Sequence, residues 1–172
     1  HIVKMLRNKH YFYEVDSKLS NNEKYEITLK KLKEGVPIIY QGMVFDFDEK
    51  LFGLPDLIVR SDYLNKITNF KNILPENNLK IGLYYVIVDI KYSNLIFKKN
   101  SDTLVNQGMF SCFKSQLIIY NKCLSKMQNY NPGVAFILGR KWNKNNKSGN
   151  NSFDYLGKID IYGEDKYILE KT

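Results

Sequence analysis

The stretch LYYVIVDIKYS, residues 83–93, limits most tightly what this chain can become. Its apolar side chains run on without alternation, as in a strand covered on both faces. Such strands lie inside sheets that carry helices on either side. Asp89 interrupts the run, and Lys91 follows two residues later on the same face, because strand side chains alternate. Taken alone, the two charges are equally an intrastrand ion pair at the strand's exit from the core.

The remaining segments supply the partners this strand needs. Residues 24–33 place Tyr25, Leu29 and Leu32 on one helical face and stop at Gly35. Residues 36–47 read as a strand, 48–55 as a turn and 56–60 as a second strand. A polar, exposed insertion is expected over 61–82, and a loop or short hairpin over 93–105. Residues 107–130 predict a long helix with Phe113, Leu117, Tyr120 and Leu124 as its stripe, broken by Asn131-Pro132-Gly133. Residues 134–142 return to strand, 143–152 read as a polar loop and 155–163 as a final strand. The first 22 residues are polar and mixed, with a strand or loop around 10–16. There is no internal repeat and no linker, so residues 1–172 are read as one domain. The order of elements predicts an α/β fold, a central mixed β-sheet flanked by helices.

Charge narrows the partners. Twenty-six Lys and Arg against 18 Asp and Glu give a formal charge of +8. That balance favours polyanions, nucleic acid before an anionic membrane, and is equally the soluble surface of a lysine- and asparagine-rich chain. No apolar run approaches the roughly 20 residues of a membrane-spanning helix. Cys112 and Cys123 read as structural. Both fall in the predicted long helix, roughly 16 Å apart along its axis, beyond the about 7 Å that a disulfide's Cα atoms allow. Two cysteines cannot supply the four thiolates of an iron–sulfur cluster. A reducing, intracellular compartment, cytoplasm or nucleus, follows. The chain opens on His1 without a methionine, as an excised domain or a chain with a cloning remnant does.

One acid needs a reason. Asp56 stands at the junction of turn and strand in GLPDLIVR, stiffened by Pro55. A carboxylate near a core must be solvated, paired or metal-bound. Gln116 and Tyr120, four residues apart, share a face of the long helix; on their own they are equally a polar-edged core face.

Together these residues resemble the PD-(D/E)XK nuclease superfamily. Pro55-Asp56 opens one strand, Asp89-Ile90-Lys91 ends a hydrophobic one, and Gln116-x-x-x-Tyr120 matches the motif of its RecB-like branch. TLKKLKEGVPIIYQGMVF (28–45) and AFILGRKW (135–142) also resemble that branch, so the likeness covers roughly residues 24–142. It implies a restriction-endonuclease-like core in a larger DNA repair, recombination or replication protein, with a helicase domain or subunit as partner. The activity implied is phosphodiester hydrolysis in DNA, single- or double-stranded. The resemblance makes Asp56, Asp89 and the Ile90 backbone carbonyl ligands of Mg2+ or Mn2+. Lys91 then stands beside the scissile phosphate, and Gln116 and Tyr120 orient the site and contact DNA. Hard cations of this kind prefer oxygen ligands, polarise a phosphate oxygen and acidify a bound water.

Glu23 or Glu26 could add a third acid, or belong to a solvated helix face. The histidine that often precedes the first acid has no counterpart, since His10 lies far upstream. Arg140 and Lys141 could grip phosphate, whereas Trp142 reads as a strand end. Two other readings stay open: a non-catalytic nucleic-acid-binding module with a nuclease fold, and an interaction domain whose acids form salt bridges.

Overall fold

The computed structural model describes residues 2–69 and 82–168. Strand β6 (Tyr85–Ile96) grows from the apolar run and extends past it. On one side it pairs antiparallel with β5 (Leu57–Arg60), from Leu57↔Val88 to Arg60↔Tyr85; on the other it pairs parallel with β7 (Val134–Lys144). Parallel neighbours need a crossover, and helix α4 (Met109–Gln128) provides it. The sheet continues outward from β5 through β2 (Ile38–Tyr40) to β1 (Phe12–Glu14), and beyond β7 to β8 (Lys147–Gly149) and β9 (Gly157–Asp160). The fold is α/β with a mixed sheet, as expected.

Apolar side chains gather on both faces, which explains the unbroken run. Tyr85 and Ile87 face Ile39, Ile58, Leu117 and Leu124 on the side of α4 and of helix α2 (Asn21–Lys33). Val86 and Val88 face Leu6, Val59 and Phe136 on the side of helix α1 (Ile2–Lys9) and the short helix α3 (Leu64–Ile67).

Several expectations change. Residues 10–16 hold the strand β1, one of the two forms expected there, and the residues before it form α1, a helix not expected from the sequence. The single strand expected over 36–47 is broken at Gln41, whose φ is +56°, so β2 ends and β3 (Val44–Asp46) begins a separate hairpin. Its return strand β4 (Leu51–Gly53) lies inside the expected turn. The insertion over 61–82 is not all exposed: Leu64 and Ile67 are buried. Its residues 70–81 lie outside those described. Within the expected polar loop over 143–152, Asn145 and Asn146 both take positive φ and turn β8 back onto β7, as tight hairpins require. Cys123 is buried but Cys112 is exposed, so only one of the two fits a core role.

A candidate two-carboxylate site

Asp56 precedes β5, directly across from Asp89 on β6. Its backbone N–H donates to Asp89 Oδ1 at 3.2 Å, and its own Oδ2 accepts the N–H of Ile90 at 2.8 Å. The two strands thus exchange side chain for backbone where their ladder ends. Asp89 Oδ2 takes Lys91 Nζ at 2.6 Å. The same ammonium donates to Gln116 Oε1 at 2.8 Å, and Gln116 Nε2 donates to the Tyr120 hydroxyl at 2.7 Å. Lysine only donates, so it sets the amide: oxygen toward Lys91, nitrogen toward Tyr120. Asp89, Lys91, Gln116 and Tyr120 form one bonded side-chain series across β6 and α4, and Asp56 joins it through its backbone N–H.

The electrostatics are those of a crowded pair. Burial first, and then repulsion from Asp89, pushes the Asp56 carboxyl up to about 6; the Ile90 N–H and Lys91 pull the other way. Asp89 is only 3% exposed. Each carboxylate oxygen bears one donor, from Gln41, Ile90, Asp56 or Lys91. A carboxylate offers about four lone-pair sites, so acceptor capacity remains. The donor set suits a hard divalent cation completing its shell with waters or a phosphate. No group of three or more His, Cys, Asp or Glu forms a metal site among the described residues.

Two parts of the site lay outside the motif. Gln41 sits where β2 breaks; its Nε2 donates to Asp56 Oδ1 at 2.9 Å and its N–H to the Asp56 carbonyl at 2.9 Å. The Gln41-Gly42 punctuation inside an apolar run was its only trace. Gly53 is the second. A Cβ there would lie 2.1 Å from the Tyr120 ring, so β4 leaves the space in which that ring rests. Phe113 lies under Lys91, with Nζ 5.1 Å from the ring centroid.

The other candidates fall elsewhere. Glu23 closes a capping box with Ser20 at the start of α2, and Glu26 is exposed. His10 packs edge-on against Tyr63. Trp142 lies within β7, paired with Leu95 and Gly149 and not at the strand end expected, and it packs on Tyr155 and donates to Asp154. Arg140 and Lys141 are exposed on β7; Arg140 donates to the Tyr92 hydroxyl at 2.9 Å. No helix among the described residues is long and apolar enough to cross a membrane. The chain matches no family model, no curated protein and no solved structure.

Proposed function

We propose that the protein is a metal-dependent nuclease that hydrolyses phosphodiester bonds in DNA, on the PD-(D/E)XK plan of the RecB-like branch. The joined acids carry the reading. Asp56 and Asp89 come from positions 33 residues apart and meet with Lys91 bonded between one of them and Gln116. The order α2, β2, β5, β6, α4, β7 supports a restriction-endonuclease-like core, into which the β3–β4 hairpin is inserted. The formal charge of +8 suits a polyanionic substrate. The proposal keeps a helicase partner and an intracellular setting.

A Mg2+ or Mn2+ ion held by Asp56, Asp89 and the Ile90 carbonyl would polarise a phosphate oxygen and acidify a water. The chain's own groups do the rest. Lys91 spends two of its three N–H bonds on Asp89 and Gln116, which leaves one for a phosphate oxygen. It offers a fixed positive charge where negative charge develops, and needs no proton transfer to do so. The Tyr120 hydroxyl accepts from Gln116, which leaves its own O–H to act as a donor.

A salt-bridge domain accounts for Asp89 and Lys91 but not for Asp56, which forms no ion pair among the described residues. End-labelled single- and double-stranded DNA and RNA, incubated with magnesium, manganese or chelator, test the proposal. Metal-dependent shortening of DNA is expected. Intact substrate under every metal condition would retire it.

A further inference from the structure

The register of β6 against β7 slips beside the site. Lys91 pairs with Gly139, but the next pair is Asn94 with Lys141, so β6 holds one residue more than β7 between them. Gly139 makes the slip possible: a Cβ there would meet Leu95 Cγ at 2.5 Å and the Ser93 carbonyl at 2.9 Å. Bulges of this kind re-aim side chains next to functional sites. The residue set free here is Tyr92, which is 87% exposed. An aromatic ring so bare, one position from a lysine of the candidate site, has no packing role to explain it.

The ring is nevertheless held. Arg140 lies 4.6 Å from its centroid and donates to its hydroxyl, with a second, longer bond to Asn94 Oδ1 at 3.4 Å. Beside it opens a cavity of about 410 Å³, lined by Ile2, Val3, Ile90, Lys91, Tyr92 and Arg140 among others. Lys91 belongs to both places: its ammonium is in the acid site and its residue forms part of this wall. β5 pairs with β6 only as far as Val88, so a strand crossing the uncovered edge of β6 passes from one place to the other.

We infer that this cavity receives an unpaired nucleobase flanking the scissile phosphate. The base stacks on Tyr92 against the Ile2–Val3 wall, and Arg140 meets the adjoining phosphate. A flat aromatic face, an apolar wall and a guanidinium are what a single nucleotide offers partners for. Bases paired inside a duplex present no such face, so the bound segment is single-stranded or frayed. The inference rests on the nuclease reading for the position of the phosphate.

Fluorescence anisotropy on the full chain, in chelator so that nothing is cut, tests the platform. The probes are a labelled oligothymidylate and a blunt duplex of equal length. Tyr92→Ala should weaken single-strand binding about tenfold, leave duplex binding as it was, and be largely rescued by Tyr92→Phe. With manganese present, one abasic position stepped along the strand should suppress cleavage at a fixed offset. Unchanged single-strand affinity in Tyr92→Ala, an equal loss on duplex, or no binding by the wild type would each overturn the inference. If wild type cuts and Tyr92→Ala binds normally, the base pocket alone falls. If nothing cuts yet Tyr92→Ala still loses single-strand affinity, the nuclease reading falls and the pocket stands.

Discussion

The backbone N–H of Asp56 is bonded to the carboxylate of Asp89, so the two acids face each other through a fixed contact. Neither can turn away without breaking the end of the β5–β6 ladder. The half-buried Asp56 carboxylate and the buried Asp89 repel, Lys91 offsets only part of that, and a divalent cation or a proton would relieve the rest.

Removing either acid should therefore end catalysis without unfolding the chain. Asp56→Ala and Asp89→Ala are expected to abolish metal-dependent cleavage while keeping the far-UV circular dichroism of the wild type. Asp56→Asn, which deletes only the charge, should match or exceed wild-type thermal stability in chelator at pH 8. Full cleavage by a well-folded Asp56→Ala or Asp89→Ala protein contradicts the assignment.

The Asp56 carboxyl also sets a pH dependence. Its folded value of about 6 lies above the ordinary aspartate value of about 3.9. Below pH about 4 the group is protonated in both states and its contribution is complete. As pH rises toward 6 the unfolded chain releases the proton first, so stability falls, and above about 6 it levels off. After allowance for partial exposure the loss is about 1–2 kcal/mol. Urea titrations of wild type and Asp56→Asn in chelator should diverge over that window. Manganese should restore stability at pH 7.5 far more than at pH 5.

Lys91 should separate from the acids in its effect. Lys91→Ala is expected to lose about a hundredfold or more in turnover, the scale of removing one preorganised electrostatic donor. Manganese affinity should hold or rise, because the lysine's charge opposes the ion. Asp89→Ala should lose the metal. Calorimetric titration of both proteins decides whether Lys91 acts in chemistry or merely holds the site together.

Gly53→Ala reaches the site without touching a charged group. The new methyl would collide with the Tyr120 ring, so the ring must move and the Gln116–Tyr120 bond with it. A stability cost of about 1–3 kcal/mol is expected, with a fall in cleavage rate and unchanged metal affinity. An unaltered rate would show that Tyr120 has no part in the reaction.

The helix bearing Gln116 and Tyr120 is anchored by Lys114, which is fully buried and bonded to the Leu104 carbonyl, Asn106 Oδ1 and Asp165 Oδ1. All three ammonium hydrogens are satisfied. Lys114→Ala strands the Asp165 carboxylate and should cost about 3–5 kcal/mol. The Lys114→Met, Asp165→Leu double variant should recover much of that in chemical denaturation.

What was legible in the sequence followed from residues whose role is local. The apolar run around Val86–Val88 announced a strand buried on both faces, and the Phe113–Leu124 stripe announced α4, because each pattern is written in consecutive side chains. Periodicity alone paired Asp89 with Lys91 and Gln116 with Tyr120, whereas joining the two pairs to Asp56 rested on the family resemblance. Gln41 could not, since its positive φ and its bond to Asp56 depend on a strand broken by its surroundings. Gly53 was equally hidden: its use is the absence of an atom opposite a ring 67 residues later. Leu64 and Ile67 sat in a stretch polar enough to read as surface, and tertiary packing overrode that composition.

Strand β6 lies between β5 and β7 and carries both Asp89 and Lys91. Backbone amides in such a doubly flanked strand exchange with solvent only when most of the molecule opens. Asp89 and Lys91 stand just past the doubly flanked stretch, which ends at Val88, where only β7 still pairs with β6. The groups that react thus sit at the margin of the most firmly held segment, with β4 close on one side through Gly53 and α1 on the other through Ile2 and Val3.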